Sequence, residues 1–110
     1  MKKFMAIYNT PAAVMAQAAQ ISPEDHAKGM QAWFAWRDKC GDHIVDFGAP
    51  LMSGQTIHQD GSWATSNTPT NGYSILQGDN LEQVQALFND HPHLSWGEGC
   101  TVEVHEFAEM

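Results

Sequence analysis

Positive charge is scarce in this chain. Five lysines and arginines stand against thirteen acids, for a formal net charge of −8. No basic stretch offsets the acids, so phosphate backbones and anionic lipid surfaces are repelled, and neither nucleic acid nor a membrane is expected as a partner. Cysteine is scarce too: Cys40 and Cys100 are the two, far apart and without CxxC spacing, which reads as reduced thiols in a cytoplasmic protein. Long apolar runs are missing, and nothing approaches the ~20 residues that span a bilayer. The opening MKKFMAIYNTPAAVMAQA imitates a secretory signal, but its apolar run from Phe4 to Tyr8 breaks at Asn9-Thr10-Pro11. That is short for a signal core, and the segment reads as a first strand. There is no nucleophile elbow, phosphate-binding glycine loop, zinc-finger spacing or HExxH pattern, and no cofactor is implied.

What is present suits one globular domain over residues 1–110, with 43% hydrophobic and 10% aromatic residues to build a core. Lys3 to Tyr8 is apolar nearly throughout and predicts a strand buried on both faces. Pro11 to Gln20 is alanine-rich, a short helix or a loop. Ser22-Pro23-Glu24-Asp25 is a strong helix start, with serine at the N-cap, proline next and acids in the first turn. That helix is expected to run to about Cys40, where Gly41 stops it. Ile44 to Phe47 predicts a strand before the Gly48-Ala49-Pro50 bend. Gly54 to Gln59 and Ser62 to Thr65 predict a β-hairpin turned at Asp60-Gly61, a pair that suits type I′. A strand over Gly72 to Gln77 follows, then a helix capped at Asp79-Asn80 with Leu81, Val84, Leu87 and Phe88 at helical spacing. Thr101 to Phe107 alternates as a last strand. The order is an α+β, ferredoxin-like βαββαβ with an inserted β-hairpin. Two helices cover one sheet face, so the other face is expected to pair with a second copy, making a homodimer.

With that order in place, several short stretches resemble the YCII-related family in its DGPF branch. Asp60-Gly61-Ser62-Trp63 stands where that family carries Asp-Gly-Pro-Phe, and Gly72-Tyr73 resembles its Gly-Gly-Tyr-Tyr strand start. Asn80-Leu81-Glu82-Gln83-Val84 followed by Asp90-His91-Pro92 looks like its second helix ending in His-Pro or Asp-Pro. Ser22-Pro23-Glu24 and Thr101 to Glu106 resemble its helix start and final strand. The resemblance implies a dimeric α+β barrel, mostly of unassigned function, whose relatives include a dehydrochlorinase acting on a chlorinated hydroxyquinol. It also implies a site pairing a first-helix histidine with the aspartate of Asp-Pro. In this chain the histidine position falls near Met30 or Gln31, one turn past His26, and His91 occupies the aspartate position.

On the residues themselves, the first long helix is the most informative. At ~100° per residue, Ala27, Met30, Trp33, Phe34, Trp36 and Cys40 form a broad apolar arc, with His26 and Arg37 near its middle. Either both reach solvent, Arg37 by snorkelling, or the helix roofs a pocket that one of them faces. About 16 Å of helix separates the two, so they cannot grip the same small group. Asp46 points opposite to Val45 and Phe47, either to solvent or into a site. His58 on the hairpin reads as a surface residue. Asp90, His91 and His93 could hold a metal, though Pro92 disfavours the extended strand that would align an H-x-H pair and no distant donor closes the set. The other reading makes this stretch a helix C-terminus, where histidine meets the negative end of the dipole and proline stops the helix. Trp63 and Trp96, beside glycine-rich loops, could be pocket walls with Met30, Trp33 and Arg37.

These readings converge on a small protein with an aromatic-lined ligand site. Its expected chemistry is acid–base, lyase or dehydrochlorinase-like, on a small cyclic molecule. His26 or His91 would move the proton, and Asp46 or Asp90 would orient the imidazole. A non-catalytic ligand-binding or interaction module and a metal protein are the alternatives, and the barrel itself does not choose a reaction.

Overall fold

Alternation of large apolar residues with small or polar ones gives the sheet its two unlike faces. The computed structural model describes residues 1–110, in which β1 (Lys2–Asn9), β2 (Ile44–Asp46), β5 (Thr70–Gly78) and β6 (Thr101–Glu106) form one antiparallel sheet ordered β2-β5-β1-β6. Phe4, Ala6 and Tyr8 pair with Leu76, Ser74 and Gly72, and all six side by side are buried beneath the helices. Val102 and Val104 join them from β6. Met5, Ile7, Tyr73 and Ile75 point the other way and are only half-covered. The expectation that β1 is buried on both faces therefore holds for one face alone, because α2 and α3 pack on the same side.

The long helix is α2 (Pro23–Cys40), and its limits follow from its ends. Ser22 Oγ accepts from the Asp25 N–H at 3.1 Å, Pro23 takes the first turn, and Gly41 with φ +55° closes it. Trp36 and Cys40 are its buried residues. They pack with Phe4, Ala6, Tyr8, Leu76, Val84 and Phe88 as the core. The alanine-rich segment resolves as a short helix, α1 (Ala12–Ala18), anchored by buried Val14.

The second expected helix is shorter than its apolar spacing suggested. Asn80 Oδ1 caps α3 (Leu81–Ala86) through the Gln83 N–H at 2.8 Å, but the next turn tightens to Leu87 N–H···O Val84 and Phe88 N–H···O Gln85. The Leu87 carbonyl, freed at that end, accepts from Trp36 Nε1 at 2.7 Å. A tertiary hydrogen bond thus takes the place of further helical turns.

The hairpin, β3 (Gln55–Ile57) with β4 (Trp63–Thr65), is a separate two-stranded sheet. Its turn is not type I′. Among its residues only Gly61 has positive φ, +89°, the Gly61 N–H bonds the His58 carbonyl, and the His58 N–H bonds the Ser62 carbonyl. This is a three-residue turn closed by a glycine bulge, held by Asp60, whose carboxylate accepts from both Ser62 N–H and Ser62 Oγ. Ile57 and Trp63 face each other on it, both exposed. With this arm extended, the radius of gyration is 15.3 Å, against the ~13 Å of a compact chain this long. No helix is long and apolar enough to cross a membrane.

The bend after β2 rests on Gly48. Its φ is +85°, Asp46 Oδ1 accepts its N–H at 2.9 Å, and a Cβ there would stand 1.8 Å from the Tyr73 carbonyl oxygen. Gly48→Ala is expected to lower stability by roughly 2–4 kcal/mol, from backbone strain plus steric clash. Urea unfolding checks it, and a loss below about 0.5 kcal/mol, typical of a surface substitution, would refute it.

Candidate functional site

Chain reversal after α3 places two imidazoles inside the protein. Asp90 takes the left-handed region at φ +59°, which aspartate tolerates better than most residues. His91 is then extended, φ −62° and ψ 136°, as expected before proline, and Pro92 opens a short 3₁₀ turn, Pro92–Ser95. His91 caps that turn with its own ring: Nδ1 accepts from the His93 N–H at 3.0 Å. The proton of the neutral ring is therefore on Nε2, and that atom is buried without a hydrogen-bond partner. His93 Nε2 donates to the Asn9 carbonyl at 2.9 Å.

Aromatic rings surround His91. Tyr8 stacks on it at 5.3 Å and 20°, Trp33 and Trp36 meet it nearly perpendicular at 4.6 and 4.5 Å, and Phe88 is tilted at 5.3 Å. Trp33 also meets Tyr8 edge-on at 4.9 Å. The Tyr8 hydroxyl donates to Ser74 Oγ at 2.8 Å, which itself donates to the Phe47 carbonyl at 2.7 Å. Beyond Trp36 lies a groove of about 380 Å³ between α2 and the Asn89–Ser95 segment, and beyond Phe88 a cleft of about 220 Å³ against β6.

Burial sets the electrostatics. Loss of water pushes the His91 pKa down to about 3, with nearby His93 adding to the effect. His93 is lowered for the same reason, opposed by backbone hydrogen bonds to Asn9 and Thr101. Burial raises the Tyr8 hydroxyl, which stays protonated. At neutral pH the site is thus an uncharged donor, His91 Nε2–H, among π faces.

The residues singled out from the sequence divide accordingly. His91, Trp33 and, half-buried one turn before it, Met30 belong to this side of α2. Trp96 lies against His93 at 5.9 Å and is partly exposed. His26 is exposed two turns before Trp33. Arg37 is exposed as well, its guanidinium over Phe34 and Phe47 at 4.9 and 5.5 Å, so the helix arc meets it with a cation–π contact. Trp63 is out on the hairpin. Asp46 is committed elsewhere, its carboxylate accepting from the Gly48 N–H and from the Tyr73 hydroxyl at 3.1 Å. Asp90 is exposed on the turn. Neither acid orients His91: Nδ1 is taken by the His93 N–H, and no carboxylate reaches Nε2.

Two readings of the Asp90–His93 stretch are corrected here. It is not a helix C-terminus, since α3 ends at Ala86 and both histidines are buried rather than exposed to a helix dipole. Nor do Asp90, His91 and His93 converge as a metal set, for the ring nitrogens are directed to different backbone partners and the carboxylate to solvent. Missed from the sequence were Tyr8, Trp36 and Phe88 as walls and His93 as the group that fixes the tautomer. Only the H-P-H spacing hinted at the last.

A pH consequence follows. Unfolded histidine binds a proton below ~6.5 whereas native His91 stays neutral down to about 3, so the unfolded state holds more protons in that window. Stability is therefore expected to fall as pH drops from about 6.5 toward 3, by on the order of a few kcal/mol from this residue. His91→Asn keeps a capping acceptor without the titration, and should flatten the acid limb in denaturation series. An unchanged limb would refute it.

The YCII-related domain matches residues 1–108. No curated protein matches this chain. Among solved structures, the 5-chloro-2-hydroxyhydroquinone dehydrochlorinase from Burkholderia phenoliruptrix AC1100, in complex with 2,5-dihydroxybenzoquinone, superposes with a TM-score of 0.52 at 15% identity, covering 94% of this chain and 91% of that one. At that identity the likeness is one of fold, the ferredoxin-like α+β arrangement described above. With the domain match running over nearly all of its length, the chain belongs to the YCII-related family.

Proposed function

We propose that the protein binds a small, flat, oxygenated ring compound against His91 and performs lyase-type chemistry on it without a cofactor, His91 donating a hydrogen bond to the substrate oxygen while the proton that the substrate loses passes to water. The observation that carries this is the His91 Nε2–H, a donor buried with no acceptor. In a low-dielectric surrounding such a donor interacts strongly with any oxygen brought to it. The aromatic walls suit a planar ring whose carbonyl or hydroxyl oxygen takes that hydrogen bond. Because burial disfavours the imidazolium, His91 acts through its neutral N–H, stabilising negative charge on the substrate oxygen rather than abstracting a proton. The dehydrochlorinase that shares the fold is described with 2,5-dihydroxybenzoquinone, a compound of this class.

One observation favours a non-catalytic binding module as the second reading: Asp46 is bonded to Gly48 and Tyr73 and Asp90 is exposed on the turn, so neither candidate carboxylate accompanies His91 as a base. A single set of measurements separates the two. 2,5-Dihydroxybenzoquinone should quench tryptophan fluorescence saturably, and His91→Phe should weaken binding about tenfold through loss of one hydrogen bond. Chloride release from 5-chloro-2-hydroxyhydroquinone supports the enzyme, and binding without release supports the module. Absence of saturable quenching, or equal affinity in the variant, sinks both.

The assembly is proposed to be a homodimer joined through the sheet face that the helices leave open. Met5, Ile7, Tyr73 and Ile75 form the half-covered centre of that face, and the radius of gyration exceeds that of a self-contained chain. The buried, unpaired Cys40 and Cys100 suit a reducing cytoplasm. Light scattering should give twice the 12.2 kDa chain mass, and Ile75→Lys should halve it. A wild-type mass of one chain would overturn the dimer.

A further inference from the structure

All the walls around His91 except one are fixed in place. Tyr8 is tied to Ser74, Trp36 to the Leu87 carbonyl and His93 to the Asn9 carbonyl, and each is buried. Phe88 is buried behind Trp36, 5.3 Å from it. Trp33 differs on both counts. It is half-buried, with solvent on one side, and its indole N–H makes no hydrogen bond. What holds it are edge contacts: Tyr8 at 4.9 Å, His91 at 4.6 Å, Trp36 and Phe47 at 6.3 Å each. Contacts of this kind are individually weak and readily exchanged for another ring.

We infer that Trp33 is the gate of the His91 site, and that the slot it vacates sets the ligand class to planar one- or two-ring compounds. The inference rests on the reading of His91 as a ligand donor and adds how a ligand reaches it. The helix need not move, because Trp36 and Cys40 anchor α2 in the core on either side of a further turn. A rotamer change at Trp33 alone suffices, and side chains with one solvent face change rotamer quickly. The space opened has the flat outline of an indole, perpendicular to the stacked rings of Tyr8 and His91 and bordered by Phe47. A planar ligand there recovers the edge contacts that Trp33 gives up, while a bulky or branched one does not. The routes past Trp36 and Phe88, where the neighbouring groove and cleft lie, each require breaking a core contact and, for Trp36, a 2.7 Å hydrogen bond.

The gate can be read without any ligand, from deuterium exchange at the His91 ring carbon measured by peptide mass spectrometry. Trp33→Leu should speed that exchange about tenfold over wild type, with Trp33→Phe between them, since the closing contacts are lost by degrees. Trp36→Phe, which loses the bond to the Leu87 carbonyl, and Phe88→Leu should each speed it less than Trp33→Leu at temperatures where thermal melts show each variant folded. Slow exchange in Trp33→Leu, or equal acceleration in Phe88→Leu or Trp36→Phe, overturns the gate. Stopped-flow fluorescence with 2,5-dihydroxybenzoquinone provides the second arm, and a faster association in Trp33→Leu is expected. If exchange accelerates while that compound binds neither protein, the gate stands and the ligand class falls. If it binds both at one rate with exchange unchanged, the site stands and the gate falls.

Discussion

The burial of one neutral imidazole organises the centre of this protein. His91 is where two distant segments meet its own: Tyr8 from β1 and Trp33 and Trp36 from the long helix, with Phe88 just ahead of it in the chain. A charged ring could not occupy that place, since an isolated charge among aromatic walls loses its hydration with nothing in return. The His93 N–H bond to Nδ1 keeps the ring neutral in one tautomer and also closes the turn that carries it. Turn, tautomer and core are thereby one structure, and loosening any of them disturbs the others.

The same constraint decides what chemistry the position can host. An imidazole held neutral is a poor base but a well-placed donor, and its Nε2–H is the one ring site left free. A histidine of depressed pKa at this position offers a hydrogen bond rather than taking a proton. Asp46 and Asp90, which could have restored a base, are used to hold a bend and to turn the chain.

Around that centre the fold is one-sided. Helices cover Phe4, Ala6, Tyr8, Ser74 and Leu76, while Met5, Ile7, Tyr73 and Ile75 are left half-covered. The hairpin adds an arm bearing Ile57 and Trp63 in the open. With the hairpin extended, the chain has a large radius for its length.

Local chemistry in the sequence determined the elements. Ser22-Pro23 and Gly41 delimit the long helix, Asn80 starts the short one, and alternation over residues 2–9, 70–78 and 101–106 marks the strands, because caps and periodicity act between near neighbours. The turn at Asp60-Gly61 was legible as a turn but not in type, since the sign of φ at Asp60 depends on its bonds to Ser62. Asp90-His91-Pro92-His93 misled for a related reason. Read locally it is a polar helix end, and only packing turned its histidines inward, where aromatic residues from positions 8, 33 and 36 enclose them. Which polar residue is buried depends on what distant chain arrives to cover it, and that the tertiary structure alone decides.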